Sequence, residues 1–122
     1  MRKVIYLLFL LAGLNVQAGD GKGNFAVWGV GNKSCFHYSK ARGDSNDADY
    51  RGYIMGFLTA YNKLTPETFS ISDKMTIDEI LVWLDNYCEL KQVEGFQIAL
   101  DEYINAHYEN RLKQPPNTKS TW

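Results

Sequence analysis

The side chains equipped for chemistry are few. The chain has two cysteines, Cys35 and Cys88, two histidines, His37 and His107, and 14 carboxylates. A redox pair or a nucleophilic thiol needs close Cys-x-x-Cys spacing or a base beside the sulfur. Cys35 and Cys88 stand 53 residues apart, and neither has such a neighbour in its local sequence. Two cysteines and two histidines fill no four-ligand zinc site without carboxylates, and the spacing of His37 from Cys35 suggests no ligand set. No metal and no cofactor are therefore expected. His107 falls on an apolar helical face, where a packed, hydrogen-bonded imidazole is the simpler reading. The adjacent acids Asp78-Glu79 and Asp101-Glu102 point in different directions on a helix and read as solvated. Gly21-x-Gly23 and Gly29-x-Gly31 lack the preceding strand and the Gly-Lys-Ser/Thr ending of a phosphate loop. With no Gly-x-Ser-x-Gly elbow and no His-Glu-x-x-His, the expectation is a protein without catalysis.

The remaining class is binding, and charge limits what is bound. A formal charge of −1 and a pI near 6.1 provide no basic stripe for nucleic acid and no polybasic membrane patch. The first 18 residues read as an address. Met1-Arg2-Lys3 is a positive start, Val4 to Ala12 an uncharged apolar run, and Val16-Gln17-Ala18 a small-x-small ending. That is the order of a secretory signal peptide, with cleavage expected after Ala18. A membrane-spanning anchor, the alternative, needs about 20 apolar residues. The expected location is the periplasm, with no membrane association after cleavage. Loss of Arg2 and Lys3 leaves 11 basic against 14 acidic side chains, a net charge of −3. In an oxidising compartment, Cys35 and Cys88 read as a structural disulfide. A loop of 53 residues closed by that bridge implies about 4 kcal/mol of stabilisation on chain-entropy grounds.

The elements that must position these side chains read as all-α: a small disulfide-linked bundle of about four helices behind a glycine-rich N-terminal arm. A length of 122 residues is one domain's worth of chain. Residues 1–18 form the signal peptide, 19–113 the helical domain and 114–122 a mobile tail after Pro115-Pro116. Glycines 19, 21, 23, 29 and 31 oppose a helix, so an extended arm with one short strand is expected, pinned by Trp28. A short helix follows from Ser34-Cys35 to Lys40.

Residues 47–64 place Tyr50, Tyr53, Ile54, Phe57, Leu58, Tyr61 and Leu64 on one helical face. Asp44, Ser45, Asn46 and Asp47 supply candidate caps. On the opposite side Gly52, Gly56 and Thr59 form a stripe of small residues, which implies close approach of another backbone: a second helix of the chain, or a subunit or partner interface. Thr65-Pro66 opens a joint to about Met75. The next helix has a capping box, Thr76-x-x-Glu79, with Met75 and Ile80 as its hydrophobic staple. Ile77, Ile80, Leu81, Trp83, Leu84, Tyr87 and Cys88 share its apolar face. A last helix from about Val93 to Leu112 buries Val93, Phe96, Ala99, Leu100, Tyr103, Ile104 and His107. Trp83, Tyr87, Tyr50 and Tyr61 read as core aromatics rather than a ligand box.

Three stretches, Gly-Val-Gly-Asn-Lys-Ser-Cys at 29–35, Tyr-Arg-Gly-Tyr-Ile-Met-Gly-Phe-Leu-Thr-Ala-Tyr-Asn at 50–62 and Trp-Leu-Asp-Asn-Tyr-Cys at 83–88, with Phe96 and Ala99 after them, carry a resemblance. Together they resemble the Rap/Tai-type immunity proteins of type VI secretion and, distantly, the HdeA-type acid chaperones of the periplasm. The resemblance covers residues 29–108. It implies a disulfide-bonded helical protein, often a homodimer, that binds a secreted peptidoglycan amidase and blocks its active site. It places Cys35 and Cys88 on the family's bridge, and Gly52, Tyr61, Asn62 and Trp83 on its framework. Where the group often has Asn-Pro after the second cysteine, this chain has Lys91-Gln92. The 65–74 joint is the expected partner-facing segment, with Pro66, Glu67, Phe69 and Asp73 as contacts. The alternative is an acid-activated chaperone that loosens as its carboxylates protonate.

Overall fold

In the computed structural model, which describes residues 18–117, the chain folds as four α-helices with no strand among the described residues. The expected signal peptide, apart from Ala18, and the last five residues of the expected tail lie outside the described residues. The helices are α1 (Cys35–Gly43), α2 (Ala48–Leu64), α3 (Ile77–Leu90) and α4 (Phe96–His107). Short 3-10 turns at Gly29–Asn32 and Tyr108–Asn110 flank them.

Helices α1 and α3 start at side-chain caps. Ser34 caps α1 by accepting the His37 N–H. The capping box of α3 forms as expected: Thr76 Oγ1 accepts the Glu79 N–H, and the Glu79 carboxylate accepts the Thr76 N–H, each at 3.3 Å. α2 starts at Asp47 without a side-chain cap, because the Asp47 carboxylate is turned to two arginines instead.

The core gathers around Phe96, the first residue of α4. Its ring stacks on Tyr38 of α1 at 4.8 Å and meets Tyr50 of α2 edge-on at 5.0 Å. Ile54, Leu81, Leu84, Leu100 and Tyr103 fill the space around it with no exposure. The Cys35–Cys88 disulfide joins the first residue of α1 to the last turn of α3, and both sulfurs are buried. Beside it, backbone bonds run from the Cys35 N–H to Glu94 O and from the Phe96 N–H to Lys33 O, at 2.8 and 2.7 Å. That crossing holds the α3–α4 turn against the entry to α1.

Four expectations are corrected. The arm before α1 has no strand, and Trp28 does not pin it: its side chain is 83% exposed. The attachment is Gly31, buried beneath the ring of Tyr53 where a Cβ would collide. Helix α4 runs from Phe96 to His107 rather than from Val93 to Leu112: residues 92–94 form a turn, and the Lys33–Phe96 bond and the Ser34–Gly95 bridge hold Gly95 extended. Val93 is accordingly 95% exposed. Leu64, at the end of α2, is exposed rather than buried.

Candidate functional site

The 65–74 joint is irregular in shape and closely held. The Phe69 and Ser70 N–H groups both donate to Leu112 O, at 2.8 and 3.1 Å, and the Leu112 N–H returns a bond to Ser70 O at 2.9 Å. Ile71 is fully buried, and its N–H donates to Asn62 Oδ1 at 2.8 Å. The Tyr103 hydroxyl, deep in the core, donates to Ser72 Oγ at 2.8 Å. Arg111 Nε donates to Thr68 Oγ1, which itself donates to Pro66 O. Glu67 and Asp73 sit in the left-handed region, at φ 53° and 54°. Such positions persist only where surrounding contacts over-determine them.

Of the residues expected to contact a partner, Pro66, Glu67 and Phe69 reach the surface, and Asp73 is half-buried. The backbone of the segment is held by Leu112, Asn62 and Arg111, while Pro66, Glu67 and Phe69 face solvent. Asn62 accepts the Ile71 N–H and so ties the joint to α2.

The stripe of Gly52, Gly56 and Thr59 is exposed. Nothing lies within 4 Å of a Cβ built at either glycine, so among the described residues no second helix packs there. That expectation is corrected. Thr59 spends its hydroxyl on Met55 O, one turn back along α2. Between the end of α2, the joint and the start of α3 lies an open groove of about 490 Å³, with Met55, Leu58, Met75, Ile77 and Ile80 as its apolar wall.

Both histidines make contacts within the fold. His107 Nδ1 lies 2.7 Å from Tyr103 O, and its ring stacks on Tyr103 at 4.1 Å with Trp83 edge-on at 5.7 Å. His37 Nδ1 lies 2.9 Å from Ser34 Oγ, at the α1 cap. Trp83 and Tyr87 stack on each other at 5.6 Å and pack against the core. Among the described residues no group of histidines, cysteines and acids is placed to hold a metal ion.

Sequence reasoning missed one cluster. Arg42 donates two bonds to the Asp85 carboxylate, Nε to Oδ1 at 2.9 Å and Nη2 to Oδ2 at 2.8 Å, and a third to Asp47 at 2.8 Å. Arg51 bridges Asp47 and Asp78 at 3.3 and 2.9 Å. The Tyr38 hydroxyl completes the set on Asp85 Oδ1 at 2.8 Å. Three helices are thereby clasped on one side. The Arg42 hydrogen bond, aided by Arg51, holds the Asp47 carboxyl below its ordinary range against the opposing effect of burial. Burial, with Asp85 beside it, pushes the Tyr38 phenol up. On α4, burial raises the Asp101 carboxyl, which accepts a hydrogen bond from Gln97.

No family model, no curated protein and no solved structure matches the chain.

Proposed function

We propose that the chain is a non-catalytic, exported binding protein of the immunity type, which docks its 65–74 joint on a peptidoglycan-cleaving amidase of type VI secretion and occludes that enzyme. The observation that carries the reading is the joint itself. Pro66, Glu67 and Phe69 project from a backbone held by Leu112, Asn62 and Tyr103. A surface ordered before encounter loses little conformational entropy on binding, which is what an inhibitor that must outcompete substrate requires. Support for export comes from the N-terminal pattern and from the bridged cysteines, which suit an oxidising compartment. No helix among the described residues is long and apolar enough to cross a membrane. The test is affinity capture from periplasmic extract on the immobilised chain. Recovery of a cell-wall amidase, reduced when Glu67→Lys and Pro66→Gly are introduced together, supports the reading. Recovery of no cell-wall enzyme from cells that secrete one contradicts it.

The Arg42–Asp47–Asp85 clasp favours a second reading, the acid-activated chaperone. Protonation of Asp47, whose carboxyl Arg42 and Arg51 hold below its ordinary range, removes charge that ties α1 to the start of α2. Protection of an unfolding client near pH ~2–3, with apolar-dye binding by the chain itself, supports that role; a chain that stays dye-silent there contradicts it.

A further inference from the structure

The groove between α2, the joint and α3 has a composition of its own. In a chain with 13 basic and 14 acidic side chains, no acid lines it, and Lys74 is the single charge on its wall. Lys74 makes no ion pair with another described residue. Its volume of about 490 Å³ lies within the range of small-molecule sites. Two of its apolar residues are methionines, Met55 and Met75, whose unbranched side chains adapt to an irregular guest.

The polar atoms of the wall argue for the guest. Thr59 donates to Met55 O, Asn62 Oδ1 accepts from Ile71, Ser72 Oγ accepts from Tyr103 and Thr76 Oγ1 accepts from Glu79. Each of these oxygens spends one hydrogen bond within the fold, and Met55, Leu58, Met75, Ile77 and Ile80 make the rest of the wall apolar. A peptide laid in the groove brings amide groups that need partners when desolvated, and those left unpaired are penalised. A hydrocarbon chain needs none, and an anionic head has the Lys74 ammonium as its countercharge on the wall.

We propose that this groove binds a single-chain anionic amphiphile, a free medium-chain fatty carboxylate, with the chain between Met55, Met75 and Ile80 and the carboxylate at Lys74. The groove shares Ser72 and Lys74 with the joint, but its chemistry does not rest on the inhibitory reading.

The probe is dodecanoate, titrated calorimetrically below its micelle concentration into the full mature chain, with dodecanol and a capped Leu-Glu dipeptide as comparisons. Dodecanoate binds at one site per chain. Lys74→Met weakens dodecanoate about tenfold and leaves dodecanol unchanged, the signature of one lost charge-assisted contact. Thr59→Trp, at an exposed helix position beside the groove, abolishes binding of both while circular dichroism and melting stay as in the parent. Binding that survives Thr59→Trp, a stoichiometry that does not saturate, or equal affinity for acid and alcohol overturns the proposal. Tighter binding of the dipeptide than of dodecanoate overturns the choice of guest.

Discussion

At the residue scale, the most connected side chain is Arg42, with three charge-assisted hydrogen bonds reaching two helices. Its side chain is 26% exposed, so solvent screening reduces the net worth of the cluster below that of a buried one. Arg42→Ala should lower unfolding stability by about 2 kcal/mol, read from urea denaturation. The acids give opposite pH signatures. Asp47 is depressed in the fold, so its stabilisation is full above the ordinary carboxylate value of about 4 and lost as pH falls through its lower folded value. Asp47→Asn should therefore flatten the acid limb of the stability curve. Asp101 is raised by burial, so it opposes folding near neutrality and that opposition fades as pH falls through its folded value. Asp101→Asn should stabilise the fold at neutral pH and change nothing once both states are protonated. Thermal melts across pH, parent against variant, check both signs. None of this cluster was legible in the sequence, because Arg42 and Asp85 lie 43 residues apart and charge spacing along one helix says nothing about pairs across three.

At the element scale, local signals were read well and non-local ones were not. The Thr76-x-x-Glu79 box announces the start of α3 within four residues, and the structure forms both of its bonds. Thr76→Ala should lose about 1 kcal/mol of stability in a denaturant titration. The start of α4 has no such mark. It is set by the backbone of Lys33 and Ser34 pairing across to Phe96 and Gly95, which periodicity in residues 93–112 cannot register. Trp28 misled for a related reason: apolar character says what a side chain prefers, not whether a partner is within reach. The glycines separate into two kinds. Gly52 and Gly56 face open space in the middle of α2, so each change to alanine should raise stability by up to about 1 kcal/mol. Gly31 lies under Tyr53, and Gly31→Ala should lower the melting temperature by displacing that ring from Phe57 and Phe96. The joint was legible as a joint, but its anchors, Leu112 and Tyr103, come from the other end of the chain.

At the scale of the whole molecule, three constraints act on the same small core: the disulfide at one end, the arginine clasp on one side and the Ser70–Leu112 pairing behind the joint. The paired cysteines and the all-helical bundle followed from sequence, since cysteine count and periodicity are properties a single chain displays openly. Replacing both cysteines by serine should lose about 2–4 kcal/mol, seen as a lower melting temperature that reductant no longer changes. The proposed function needs the joint to arrive at its partner already shaped. The direct measurement is an inhibition titration of the captured amidase on peptidoglycan, with the parent chain and with Glu67→Lys, a change at an exposed position. The account predicts stoichiometric inhibition by the parent and at least about tenfold weaker inhibition by the variant at unchanged melting temperature. Equal inhibition by both, or none by the parent, would contradict it.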